Sequence, residues 1–237
     1  MKTWKGYNIL DLILISLGIV FVITTGVIFS SQWYIIINTI LALLFVFTQA
    51  KAKIATLFLG VIHFGFYIFI CYSQQYYGEA LCYLIIMLPM YIYGIIHWLA
   101  NRDKRNNVVI VRNNLSKQEW FISTSVFIAL SICIYFLLKA LNTSLLIVNF
   151  LSFATMMPAV YLLSRRCKWN HLAFLLNDFV VSSLWLYLVI QGNLTFLPMC
   201  IYHIFQIIYD IYGITQWFQL EKKQKKELNS NKTERTL

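Results

Sequence analysis

The stretch from Phe196 to Phe218 reads FLPMCIYHIFQIIYDIYGITQWF. Asp210 is the one charged residue in it, and it is long enough to cross a bilayer core, for which about 20 mostly apolar residues suffice. Its polar side chains are ordered. His203, Gln206 and Asp210 follow one another at spacings of three and four and so fall on one helical face, which Met199 and Gly213 extend and Tyr202 flanks. A charge at the centre of a spanning helix costs about 2.5–3.5 kcal/mol on insertion scales, so such a stripe is expected to face a cavity or a partner rather than lipid.

Seven more runs resemble it: Ile9–Phe29, Trp33–Phe47, Ile54–Cys71, Ala80–Leu99, Trp120–Leu138, Ser144–Leu163 and His171–Ile190. The run at Trp33 is the shortest and is set off from the first only by Ser30, Ser31 and Gln32. None alternates as a membrane barrel strand would. The first run is longer than the apolar core of a signal peptide, about 7–15 residues, and is expected to be a retained helix. Across 237 residues 60% are apolar, 12% are charged and the mean hydropathy is +0.70. Soluble domains carry about 25% charged residues. The expected fold is an all-α integral membrane protein of eight spans.

The net charge is +10, but its placement argues against nucleic acid. Lys51 and Lys53 follow helix 2. Arg102, Lys104, Arg105, Arg112 and Lys117 follow helix 4, and Arg165, Arg166 and Lys168 follow helix 6. Lys222, Lys223, Lys225 and Lys226 follow helix 8. The odd-numbered connections carry only Lys139. Basic loops mark the cytoplasmic side, so both termini are expected there. The polar tail from Glu221 is expected to be disordered or a frayed helix. Cys71, Cys82, Cys133, Cys167 and Cys200 form no CxxC or Cys/His pair at metal-ligand spacing, so neither a metal nor a disulfide framework is expected, and no cofactor is implied.

Tyr93–Trp98 reads YGIIHW and Tyr212–Trp217 reads YGITQW. Each closes a predicted helix ahead of a basic segment, and the offset (213 less 94) is 119 residues, half the chain. This points to an internal duplication. Four helices return the chain to its starting side, so the halves are expected to be parallel repeats, which in carriers hold the substrate between them.

Other spans also carry polar residues. Helix 7 has Asn177 and Asp178, with Ser182 and Trp185 on the face of Asp178; helix 3 has His63 and Tyr67; helix 2 has Asn38 and Gln49; helix 6 has Asn149. A lone amide often does no more than bond a neighbouring helix, and Pro89 is expected only to kink helix 4. Aromatic walls with a few amides and carboxylates suit a flat heteroaromatic compound bearing a sugar better than a simple ion. The candidate substrate-binding residues are Asn177, Asp178, Trp185, Tyr202, Gln206, Asp210, Tyr67, His63 and Asn38.

The stretch Lys53–Gly60, then Tyr77-Gly78, then Leu88-Pro89-Met90-Tyr91-Ile92-Tyr93-Gly94 through Trp98 resembles the PnuC family of vitamin-precursor transporters. Gln191-Gly192, Tyr202, Tyr212-Gly213 and Trp217 repeat it more loosely, and the resemblance covers about residues 33–220. It implies a bacterial inner-membrane protein with two SWEET-like three-helix bundles, joined by a linking helix and preceded by an extra span. The divisions would be 1–30, 31–101, 102–140, 141–220 and a basic tail at 221–237. It further implies facilitated diffusion of nicotinamide riboside, with a cytoplasmic kinase trapping the solute by phosphorylation. Relatives are associated with thiamine, riboflavin or deoxyribonucleosides. Two departures stand out: Met90-Tyr91 occupies the place where many members have asparagine before the first YG, and Asp210 takes the matching place in the second half. The expected partners are the small-molecule substrate and the bilayer, with self-association left open. A proton-coupled carrier using Asp178, His203 and Asp210 is the alternative. An enzyme is disfavoured because HExxH, GxSxG and paired acidic metal motifs are lacking.

Overall fold

The computed structural model describes residues 8–103, 108–112 and 115–236, the side chains of 231–236 excepted. The basic residues of Met1–Lys5, together with Lys104 and Arg105, lie outside the described residues. Eight apolar helices are long enough to span a membrane: α1 Ile9–Ile28, α2 Trp33–Ala50, α3 Ala55–Ser73, α4 Tyr77–Ala100, α5 Lys117–Ala140, α6 Leu146–Ser164, α7 Asn170–Ile190 and α8 Leu197–Thr236. A short antiparallel pair, β1 Arg102–Asp103 and β2 Val108–Val109, interrupts the loop after α4. The polar tail, expected to be disordered or frayed, instead continues α8.

The helix ends follow a local rule. After α2, Lys53 N–H donates to Thr48 O and Ala52 N–H to Gln49 O, with Ala52 at φ 52°. After α6 the same bonds run from Cys167 to Leu162 and from Arg166 to Leu163, with Arg166 at φ 60°. This is the Schellman closure, which satisfies the orphan carbonyls of a helix end and usually puts glycine at the left-handed position. Here Ser30, Gln75 and Asn142 also take that conformation, and Gly192 does so as a glycine. The end of α2 therefore carries no glycine signal, and the helix runs past the expected Phe47 to include Gln49. In α4 a π turn at Tyr83–Met87 leads into Pro89. The wider turn accommodates a ring that would strike the carbonyl of residue 85 in a regular α-helix.

Six helices pack as a closed ring in the order α2, α3, α4, α6, α7, α8 and back to α2. α1 lies outside the ring against α2 and α8, while α5 lies outside against α6 and the start of α4. The outward faces of α1 and α5 are apolar and exposed, as lipid-facing surface requires. The two repeated motifs meet: the Trp98 and Trp217 rings lie 5.9 Å apart, so both YG…W ends share one face of the membrane.

That basic face is tied together by hydrogen bonds. Val109 N–H donates to Ala52 O and Arg112 N–H to Arg166 O, so the segment around β2 bridges the two equivalent turns. The side-chain amide of Gln224 bonds Val111 N–H and Val109 O. Glu119 accepts from Arg112 at 3.1 Å and lies 2.5 Å from Arg165. Lys51, which by sequence alone is a solvated loop cation, is buried; its ammonium sits 2.8 Å from Asp11 and also donates to Tyr212. Partial burial, with Lys51 close by, lowers the Lys53 ammonium pKa.

Two outcomes follow. A Cβ at Gly213 would stand 2.6 Å from the His171 ring, whereas one at Gly65 would meet nothing within 4 Å. Gly213→Ala is expected to destabilise by about 1–3 kcal/mol and to lower the melting temperature in detergent, and Gly65→Ala to leave it unchanged or raise it. Asp11→Asn strands a buried ammonium and is expected to cost about 3–5 kcal/mol, measured by SDS unfolding; removing the stranded charge as well, with Lys51→Met, is expected to recover most of it.

Candidate functional site

The ring encloses a column of polar groups among aromatic rings, and sequence periodicity accounts for most of it. The apolar faces of the six helices turn outward to lipid or against neighbours, leaving the rarer polar residues to meet inside. His63, Asn38, Asn177, Asp178, Tyr67 and Trp185 are fully buried, and Tyr202, Gln206 and Asp210 nearly so.

Near the basic end, His171 Nδ1 lies 2.5 Å from Asp210 Oδ1. Trp217 donates to Gln49 O at 3.0 Å, and the Tyr91 hydroxyl reaches Gln49 Oε1 at 3.4 Å. Gly213 matters here for a reason other than backbone freedom: any side chain would fill the space of the His171 imidazole. In the middle, Gln206 Nε2 donates to Asp178 Oδ1 at 2.5 Å, and Asp210 follows Gln206 by one turn on the same face of α8. His63 Nδ1 lies 2.7 Å from Asn38 Oδ1, and the Tyr202 ring stands 6.2 Å from His63. Toward the opposite end, Trp185 Nε1 donates to the Tyr67 hydroxyl at 3.1 Å, which donates to Glu79 Oε2 at 3.0 Å. The Tyr67 and Tyr83 rings are 4.3 Å apart.

The sequence-derived candidates thus fall into neighbouring sets. Asp178, Gln206 and Asp210 meet between α7 and α8; Asn38 and His63 pair between α2 and α3; Tyr67 and Trp185 meet across the ring. Asn177 turns toward α6, where its amide N–H groups donate to Ser152 O and Thr155 Oγ1, both at 2.9 Å. This contact has a counterpart in the other half. His63 and Asn177 are 114 residues apart (177 less 63), as are their partners Asn38 and Ser152 (152 less 38). The repeat therefore extends from motif to hydrogen bond.

Three site residues are absent from the sequence-derived candidates. Glu79 falls in a stretch that reads as a connection, since Gly78 and a charge look like a turn; α4 begins at Tyr77 and carries Glu79 inside. His171 reads as a helix boundary, although its spacing of seven from Asp178 places it on the same face. Tyr83 stands 119 residues before Tyr202 (202 less 83), the same offset as the YG motifs, and that is the signal that marks it. Asn149 has a positioning role: its Oδ1 accepts from Glu79 N–H at 3.3 Å, and its backbone presses on Gly78. Among the described residues no group of three or more His, Cys, Asp or Glu side chains is arranged to hold a metal. A separate groove of about 680 Å³ between α5 and α6, lined by residues such as Trp120, Phe127, Tyr135 and Phe150, is apolar and lies on the outer surface.

Comparison with known proteins agrees with this geometry. The crystal structure of the vitamin B3 transporter PnuC matches with a TM-score of 0.80 at 17% identity, over 93% of this chain and 95% of that one, a likeness of fold. The nicotinamide riboside transporter PnuC of Neisseria mucosa is 20% identical over 195 residues, which is 81% of this chain and 74% of the relative. The family model described as nicotinamide mononucleotide transporter matches residues 32–219, from the start of the ring to the end of the second YG…W motif. The chain belongs to that family of membrane transport proteins.

Proposed function

We propose that the chain carries nicotinamide riboside, or a closely related unphosphorylated vitamin precursor, by facilitated diffusion. One observation carries the choice of the nucleoside over its phosphate. The six ring helices, taken to Phe218 in α8, contain Glu79, Asp178 and Asp210 and no lysine or arginine. A phosphate needs charge-assisted donors and would here meet buried carboxylates. Trp185, Tyr67 and Tyr202 supply flat apolar walls for a pyridine ring, and Asp178 and Gln206 supply hydrogen-bonding groups for ribose hydroxyls or a carboxamide. The name of the Neisseria mucosa relative points to the same substrate.

In this reading the helices 31–101 and 141–220 act as two bundles, with residues 102–140 as the link, and rock against each other to open the column to either side. The basic face is cytoplasmic, following the positive-inside rule, and so are both termini of this inner-membrane protein. The segment bridging the Ala52 and Arg166 turns then holds the cytoplasmic ends of the bundles together while the column is closed. A cytoplasmic kinase that phosphorylates the entering riboside would keep it inside, since the phosphorylated product cannot return through an acidic column.

Uptake of labelled nicotinamide riboside into proteoliposomes is expected to saturate. The mononucleotide at the same concentration is expected to neither enter nor compete. Asp178→Asn is expected to raise the half-saturating concentration by about tenfold, the loss of one charge-assisted hydrogen bond. No saturable uptake of any vitamin precursor would overturn the proposal.

The burial of Asp178, held by Gln206, and of Asp210, one turn further along α8, favours a second reading, proton-coupled transport, because ionisable groups inside a membrane commonly serve as proton relays. Uptake by wild type that follows an imposed pH gradient, and becomes independent of it in Asp210→Asn, would establish coupling. Gradient-independent uptake by wild type is expected for the uniporter.

A further inference from the structure

We propose that Glu79 is the residue that selects substrates by charge: its carboxylate reads a delocalised positive charge on a flat heteroaromatic ring, such as a pyridinium or thiazolium, and discriminates against neutral analogues. This rests on the reading of the ring as a solute path and sharpens it to a class of substrate.

Glu79 is fully buried one turn into α4. Its Oε2 accepts from the Tyr67 hydroxyl, while its Oε1, also buried, is reached by no donor among the described residues. A buried carboxylate half-supplied with donors is costly when ionised, and native structures retain such groups where something else completes them. The surroundings narrow what that is. No lysine or arginine lies in the ring helices up to Phe218. Lys51 sits at the basic end and is paired with Asp11, and Lys139, at the end of the molecule where Glu79 lies, is exposed on α5 outside the ring. The walls beside Glu79 are aromatic: the Tyr67 ring is 4.3 Å from Tyr83 and 5.8 Å from Trp185, whose indole stands 5.6 Å from both Tyr76 and Phe196. Ring faces attract cations, most strongly when both are out of water. An aromatic box with one buried carboxylate fits a flat cation and is a poor place for an anion.

The backbone position of Glu79 is held by its neighbours. Glu79 N–H donates to Asn149 Oδ1, the Asn149 amide donates to Ser144 O at 2.7 Å, and Gly78 lets the start of α4 lie directly on the α6 backbone. The backbone at Glu79 is therefore held from α6, and its carboxylate from α3 through Tyr67. Asp178 and Asp210, buried in the same ring, add two further carboxyl groups along the column that a cation entering at Glu79 would meet.

The test is binding to purified protein in nanodiscs, read by calorimetry, with nicotinamide riboside, its neutral 1,4-dihydro form, and thiamine as a second flat cation. Wild type is expected to bind a cation at least tenfold more tightly than the neutral riboside. Glu79→Gln is expected to reduce that ratio to near one, and Glu79→Asp to retain most of it. Tyr67→Phe keeps the carboxylate and is expected to keep the preference. Equal affinity of wild type for the charged and neutral ribosides would overturn the inference, as would an undiminished ratio in Glu79→Gln. If Glu79→Gln does not fold, the wild-type ratio and the Glu79→Asp variant still decide. Thiamine bound without nicotinamide riboside would overturn the substrate assignment and leave the role of Glu79 standing; binding of neither cation would overturn both.

Discussion

A polar side chain inside a bilayer has no water to turn to, and the arrangement of this protein follows from that constraint. Six helices close into a ring because each carries a polar face that lipid would penalise, and the ring lets those faces satisfy one another. His171 meets Asp210, Gln206 meets Asp178, Asn38 meets His63, and Tyr67 links Trp185 to Glu79. The pairs lie mostly between neighbouring helices, so each stabilises the ring locally. The Trp185–Tyr67 bond crosses between α7 and α3 and couples the halves directly.

The same pairs leave a remainder, and the remainder is where function is expected. Asp178 Oδ2, Asp210 Oδ2, Glu79 Oε1 and Gln206 Oε1 are buried without donors among the described residues. A purely structural network would carry this cost for nothing, since replacing such groups by apolar ones is often neutral or stabilising. A transport path has a use for them. On the proposed reading they would bind a solute strongly enough to strip its water and weakly enough to release it when the bundles rock.

Much of this is legible in the sequence itself. The count of spans, the alternation of basic connections and the meeting of the two YG…W ends all follow from composition and spacing, because a bilayer turns apolar runs into helices with few exceptions. The stripe at His203, Gln206 and Asp210 is buried, as its periodicity requires. What is not legible has a common cause. Helix boundaries are hard to place where left-handed closures use Ala52, Gln75 or Arg166 instead of glycine. That obscures the last turn of α2 and the first turn of α4, with Glu79. Spacing along one helix also says which residues share a face and nothing about what stands opposite. The partnership of His171 with Asp210, of Lys51 with Asp11, and the turn of Asn177 toward α6 depend on packing between helices, which no single run of residues encodes.

The central claim is that the enclosed column, and no outer surface, holds the solute. A structure of the protein determined with nicotinamide riboside bound tests it most directly. The expected result places the ring between Tyr67, Trp185 and Tyr202, with a ligand atom within hydrogen-bonding distance of Asp178 or Gln206. Ligand density confined to the groove between α5 and α6, with the column collapsed and empty at saturating solute, would contradict it.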